Sequence, residues 1–147
     1  MIPVVALVGR PNVGKSTLFN RLTRSRQALV DDQPGVTRDR LYGEASHQDR
    51  RFLLIDTGGL SDDGDVLSAA VREQVFQALS EADAVVFLLD ARDGLSASDR
   101  DIASDLRRDE TPVLVAANKA EERNLLVVVS TSYQTSIPTS ISHLMIR

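Results

Sequence analysis

Four continuous apolar runs, each followed by polar or turn residues, constrain the fold of this chain more than any other feature. The runs occupy residues 4–8, 52–55, 84–89 and 113–117. Runs of this length are typical of strands that are buried on both faces, as in parallel sheets. Helical periodicity separates them: apolar residues recur at steps of three and four between Leu67 and Leu79, and Ser96 with Asp99 forms a capping-box pattern. The alternation predicts an α/β fold, a mostly parallel sheet with helices on both faces.

Two further elements are predicted around these runs. A first helix should begin within residues 14–16 and bury Leu18, Phe19 and Leu22. Residues 41–46 are expected to form an extra strand, paired antiparallel with residues 51–56 through a turn near residues 47–50. That strand would add one antiparallel pair to an otherwise parallel sheet.

Composition narrows the classes of protein and of site. The 147 residues suit one domain, and the absence of cysteine excludes disulfides, thiolate metal sites and cysteine nucleophiles. His47 and His143 are too few and too distant in sequence to indicate a histidine metal site. No apolar run approaches about 18 residues and the N-terminus lacks a basic signal segment, so we expect a cytoplasmic protein without a membrane partner. The net charge of −4 argues against autonomous binding to DNA or RNA.

The loop after the first apolar run carries a phosphate-binding pattern. Residues 9–16 fit G-x-x-x-x-G-K-[ST], in which the glycines let successive N–H groups point at one phosphate and the following helix adds its positive end. Lys15 is predicted to reach the β- and γ-phosphates, and the Ser16 hydroxyl to bind Mg²⁺. A chance match in a chain of this length is on the order of half a percent. The residues predicted to hold the nucleotide here are Gly9, Asn12, Val13, Gly14, Lys15, Ser16 and Thr17.

A second pattern, D-x-x-G, follows the run at residues 52–55. Because the carboxyl ends of parallel strands share one edge of a sheet, Asp56 is predicted to join the Mg²⁺ shell there, and the Gly59 N–H to approach the γ-phosphate. Between the two patterns, Thr37 is predicted to close onto Mg²⁺ when the γ-phosphate is present. Thr23 also lies in that interval, but at the end of the first helix it should point away from the ion. Catalytic roles are thus predicted for Lys15, Thr37 and Gly59.

The polar residues after the run at 113–117 predict which base is bound. The carboxylate of Glu121 could accept hydrogen bonds from N1–H and the exocyclic amine of guanine, a pair of donors that adenine lacks. Asn118 would tie the loop together, and the stem of Lys119 would cover one face of the base. This arrangement favours GTP over ATP.

The three patterns, in this order, resemble those of the Ras-like P-loop GTPases. Residues 9–22, 34–39 and 56–59 are similar to the first of two tandem G domains in the Der (EngA) family of bacterial ribosome-assembly GTPases. The resemblance covers about residues 2–121. It implies a P-loop NTPase fold, Mg²⁺-dependent hydrolysis of GTP to GDP, and a role in maturing the large ribosomal subunit. Contact with that subunit or its assembly intermediate would come from domains outside this chain.

The resemblance also implies more detailed roles for three residues. Asn12 is either a ligand for K⁺ beside the phosphates or simply a turn former in the loop. Leu60 stands where Ras-like proteins have a glutamine that orients water, which implies slow intrinsic turnover. Glu121 stands where the family pattern has aspartate, so the carboxylate is kept on a side chain one methylene longer.

The last part of the chain departs from this pattern. From Asn124 to Arg147 the sole formal charge is Arg147, and nine residues between Asn118 and Val128 are too few for a βαβ crossover, which needs at least about 10–12 residues. We therefore predict an incomplete G domain at residues 1–121 and an atypical tail at 122–147, for which truncation or an altered reading frame is our hypothesis. An apolar run left at an open edge there would favour aggregation. Three functions stay open: a GTPase switch, a guanine-nucleotide-binding module with little hydrolysis, and a non-functional fragment.

Overall fold

The computed structural model describes residues 1–23, 41–47, 49–57, 67–120 and 125–130. In chain order the elements are β1 (Val4–Val8), α1 (Lys15–Thr23), β2 (Leu41–His47), β3 (Arg50–Asp56), α2 (Leu67–Glu81), β4 (Ala84–Asp90), α3 (Ala97–Leu106), β5 (Val113–Ala120) and β6 (Leu125–Ser130). Each of the four apolar runs lies within one of the strands β1, β3, β4 and β5. The predicted helices and the extra strand are also present, within a few residues of the expected bounds. Within the described ranges, every helix is too short or too polar to span a bilayer.

The strands form one sheet in the order β2-β3-β1-β4-β5-β6. β1 lies parallel to both β3 and β4, and β4 lies parallel to β5. The two outer strands are antiparallel to their neighbours, β2 to β3 and β6 to β5. The mostly parallel α/β sheet is therefore confirmed. After β3 the chain crosses to the other side of β1, so the carboxyl end of β1 is the switch point at which open α/β sheets bind their ligands.

Helices cover both faces of the sheet, and successive residues of β1 point alternately to one face and the other. Ala6 and Val8 pack on the face of α2 and α3, whereas Val5 and Leu7 pack on the face of α1. The apolar stripe of α2 is buried at Val75, Ala78 and Leu79, and that of α1 at Leu18 and Phe19, with Leu22 partly buried beside them. The predicted inward faces of these helices are confirmed wherever their side chains are described.

The β2–β3 hairpin is paired as expected, from Leu41 opposite Asp56 to His47 opposite Arg50. Asp49 lies in the turn with a φ of 64°, a conformation that Asp tolerates better than most residues. On the adjoining helix, Thr23 ends α1 and its hydroxyl donates to the Phe19 carbonyl at 2.9 Å. The Thr23 hydroxyl is thus engaged within its own helix.

The apolar run at the start of the predicted tail forms β6. It pairs antiparallel with β5, from Leu114 opposite Ser130 to Ala117 opposite Val127, with an irregularity before Ala120. Antiparallel neighbours need a short connection, whereas parallel ones need a crossover of a dozen or more residues. The short link at residues 121–124 is consistent with this arrangement, which the sequence did not predict. The division into a G domain and a tail stays a prediction.

Candidate nucleotide-binding site

The loop between β1 and α1 has the curled backbone that the glycine pattern predicts. Gly14 has a φ of 100° and Asn12 a φ of 62°, both in the left-handed region. Glycine adopts that region freely, and Asn is among the few other residues that tolerate it. A Cβ at Gly9 would lie 2.5 Å from the Leu88 carbonyl of β4, and one at Gly14 would collide with Nδ2 of Asn118. Both glycines therefore allow close approaches that shape the loop.

Lys15 stands in the first turn of α1 with its ammonium turned onto the inside of this loop. Its Nζ donates to the carbonyls of Gly9 and Arg10, each at 2.8 Å, and the residue is only 7% exposed. Burial lowers the pKa of Lys15, and the nearby charge of Asp56 opposes that shift. Phosphate oxygens would be stronger acceptors than these two neutral carbonyls, because their negative charge adds a Coulombic attraction to the ammonium. The loop thus holds a buried cation that an anion can engage.

Asp56 ends β3 at the same edge of the sheet, as predicted. It is opposite Leu7 of β1 and 2% exposed. The next residue, Thr57, donates its hydroxyl to the Leu7 carbonyl at 2.7 Å and so fixes the chain that leaves β3 against β1. Thr57 had no role in the sequence analysis, although a hydroxyl directly after an apolar strand is a usable signal for such a contact.

The side chains nearest the start of α1 divide between the core and the solvent. Val13 is fully buried among the residues under α1, whereas Ser16 and Thr17 are exposed. Hydroxyl and carboxylate oxygens, as on Ser16 and Asp56, are ligands that suit Mg²⁺. The described part of the chain contains no group of three or more His, Cys, Asp or Glu side chains placed to hold a metal.

The end of β5 is joined to the phosphate loop by two hydrogen bonds. Asn118 donates from Nδ2 to the Val13 carbonyl at 2.8 Å, across 105 residues of sequence. Lys119, which has a φ of 60°, donates from Nζ to the Asn12 carbonyl at 2.8 Å. The predicted role of Asn118 in tying the loop together agrees with this geometry.

Asp90 is a site residue that the sequence analysis missed. It ends β4, is 3% exposed, and its Oδ2 lies 2.6 Å from the Lys119 ammonium. Lys119 holds the pKa of this carboxyl below its usual range, and the N–H of Arg92, at 3.0 Å, adds to the effect. A polar residue that ends an apolar run, on the strand between β1 and β5, is the signal that would have indicated it.

Four predicted site residues lie outside the described residues: Thr37, Gly59, Leu60 and Glu121. Their roles at the γ-phosphate, at the attacking water and at the base stay predictions. The structure therefore brings together the phosphate loop, Asp56, Asn118 and Lys119 at one edge of the sheet.

Comparison with known proteins places this site in a family. The family described as 50S ribosome-binding GTPase matches residues 4–119. GTPase Der of Pseudoalteromonas atlantica is 57% identical over 121 residues, which are 82% of this chain and 25% of the relative. GTPase Der of Moorella thermoacetica is 50% identical over 146 residues, 96% of this chain and 33% of the relative, an alignment long enough to reach into residues 122–147. The chain thus spans about a quarter to a third of the length of these relatives.

A solved structure has a similar fold. The crystal structure of a variant of Era from Aquifex aeolicus, bound to GDP and AlF4⁻, superposes with a TM-score of 0.62 and 33% identity over 82% of this chain and 42% of that one. The P-loop GTPase fold and the resemblance noted in the sequence are confirmed. The chain belongs to the family of 50S ribosome-binding GTPases.

Proposed function

We propose that the chain binds a guanine nucleotide with Mg²⁺ at the carboxyl edge of its sheet and hydrolyses GTP to GDP and phosphate. The observation that carries this proposal is the pair of hydrogen bonds from Asn118 and Lys119 to the Val13 and Asn12 carbonyls. A phosphate loop alone would serve any nucleotide. Here it is locked to the loop that carries the guanine-selective pattern, so phosphate and base would be held by one connected unit.

Lys15 supplies the positive charge of this proposed mechanism. In exchanging the carbonyls of Gly9 and Arg10 for oxygens of the β- and γ-phosphates, its ammonium would gain acceptors of full negative charge. The buried position excludes water and strengthens that attraction. Charge that develops on the phosphates during hydrolysis would be stabilised by the same ammonium.

Ser16 and Asp56 would hold Mg²⁺, and Thr37 would join them when the γ-phosphate is present. The ion, when bound, would neutralise phosphate charge. Asn12 is proposed as a K⁺ ligand through its side chain, because its carbonyl already accepts from Lys119. Its φ of 62° equally supports a role as turn former, so the K⁺ dependence of turnover decides between them.

The wider role that we propose is a switch in the assembly of the large ribosomal subunit. The family description and the name GTPase Der support it. With a net charge of −4, this chain is not itself suited to grip RNA. Contact with the ribosome or its precursor would be made by domains that correspond to the part of the relatives that this chain does not cover. A cytoplasmic location is proposed on the same grounds.

The test combines calorimetric titration with GTP, GDP and ATP and single-turnover hydrolysis in K⁺ or Na⁺ buffer. We expect binding of both guanine nucleotides and slow, K⁺-stimulated formation of GDP. Lys15→Ala should abolish the binding that depends on the γ-phosphate, whereas Arg100→Ala, an exposed cation on α3, should leave it unchanged. Binding without hydrolysis would indicate a nucleotide-binding module, and no binding at all would contradict the proposal.

A further inference from the structure

Arg10, the second residue of the phosphate loop, forms ion pairs with two aspartates at the N-terminal end of α3. Its Nη2 lies 2.8 Å from Oδ2 of Asp93, in the segment before α3, and its Nε lies 3.4 Å from Oδ2 of Asp99, in the first turn of the helix. The side chain is 19% exposed. Asp93 and Asp99 raise the pKa of Arg10, so the guanidinium remains a cation at every working pH.

Asp99 is a fully buried carboxylate with two functions. Its Oδ2 accepts from the N–H of Ser96 at 2.9 Å and from its hydroxyl at 2.8 Å, which closes the capping box of α3. Its Oδ1 has no hydrogen-bond partner among the described residues. A buried carboxylate is costly unless a cation accompanies it. Arg10 supplies that cation. The carboxylate that closes the capping box of α3 is therefore also the ion-pair partner of a residue in the phosphate loop.

The loop needs anchors on more than one side. Asn12, at its centre, has a left-handed backbone, and such a conformation persists only where the surroundings enforce it. Asn118 and Lys119 hold the second half of the loop from β5. Arg10 holds the first half from α3. Backbone N–H groups bind a phosphate well only if they already converge on it before the ligand arrives.

We propose that Arg10 is a positioning residue, and that its ion pair with Asp99 fixes the first half of the phosphate loop in the conformation that binds the nucleotide's phosphates. The inference rests on the proposed function and goes beyond it. Arg10 acts without touching the nucleotide, through the loop backbone. The affinity for GDP therefore depends on the pair, and so does the placement of the loop relative to α3.

A double-mutant cycle with GDP titration tests this proposal. Arg10→Gln removes the cation, and Asp99→Asn keeps an oxygen for the capping box but removes the charge. We expect each change to lower the affinity for GDP about tenfold. The double variant should bind no more weakly than either single variant, because two residues that act through one contact are not additive. The double variant also leaves no unpaired buried charge, so it tests the proposal even if a single variant fails to fold.

Ser96→Ala is the matched control. It removes the hydroxyl that Asp99 shares in the capping box and so weakens α3, but it leaves the Arg10 pair in place. We expect a lower Tm and a GDP affinity within twofold of the unmodified chain. A purely structural role of Asp99 would instead make Ser96→Ala and Asp99→Asn behave alike.

The outcomes separate this inference from the proposed function. An unmodified chain that binds GDP, together with an Arg10→Gln or a double variant that binds it equally well, overturns the inference alone. Effects that multiply in the double variant overturn it as well. An unmodified chain that binds no guanine nucleotide overturns both proposals.

Discussion

Substituting Gly14 by alanine tests the geometry of the phosphate loop most sharply. Its φ of 100° is a conformation that residues with a side chain rarely adopt, and the new Cβ would collide with the side-chain amide of Asn118. The backbone strain should cost about 1–3 kcal/mol. If the Asn118 amide moves aside, its hydrogen bond to the Val13 carbonyl is lost, at about 1 kcal/mol more. We therefore expect Gly14→Ala to reduce the free energy of unfolding by about 2–4 kcal/mol.

Gly94→Ala is the matched control for the steric part of that cost. Gly94 also has a positive φ, 70°, but nothing lies within 4 Å of an added Cβ. The strain there is about 1–2 kcal/mol and is partly offset by the stiffer unfolded chain. We expect Gly94→Ala to cost about 1 kcal/mol or less.

The assay is urea unfolding of both variants, followed by GDP titration of each at a temperature where both are folded. Gly14→Ala should lose at least tenfold in GDP affinity, because it separates the loop from Asn118, and Gly94→Ala should lose less than twofold. Equal destabilisation of the two variants, or an unchanged GDP affinity of Gly14→Ala, would refute the reasoning.

Three further predictions concern contacts at the strand ends. Asp90→Asn should weaken GDP binding about three- to tenfold, because Lys119 loses its charged partner at 2.6 Å. The control variant, Asp101→Asn at an exposed position, should leave GDP affinity unchanged, and calorimetric titration compares the two. The same ion pair should make stability fall at acid pH, because folding lowers the pKa of Asp90 from 3.8. The contribution of Asp90 to the free energy of unfolding is therefore present above that value and is lost as pH falls through the lower pKa of the folded state. The Tm of Asp90→Asn should therefore fall less steeply at acid pH than that of the unmodified chain. The same acid dependence of Tm in both would count against the ion pair. Thr57→Val keeps the shape but removes the hydrogen bond to the Leu7 carbonyl, so unfolding should become easier by about 1 kcal/mol, measured in urea.

Local patterns predicted the elements and the central loop of this protein well. The four apolar runs became β1, β3, β4 and β5 because a strand covered on both faces needs apolar residues at every position. The capping box at Ser96 is present because it is closed by residues three apart. The phosphate loop is likewise a contiguous pattern whose glycine spacing fixes its backbone.

The contacts that sequence reasoning missed join residues far apart in the chain. Asp90 and Lys119 are 29 residues apart, and they meet because β4 and β5 are neighbours with their ends in register. Asp99 was interpreted as a capping residue alone, since nothing in a local pattern reveals that the guanidinium of Arg10 lies beside it. The order of the strands in the sheet decides which of these residues meet, and hydrophobic periodicity carries no information about that order.

Paired titrations with GDP and ADP, in the same Mg²⁺ buffer, test the central claim most directly. That claim is that a guanine nucleotide binds where Asn118 and Lys119 hold the phosphate loop. The account predicts that GDP binds at least tenfold more tightly than ADP, and that Asn118→Ala removes most of this binding. Equal affinity for the two nucleotides, or no binding of GDP, would contradict it.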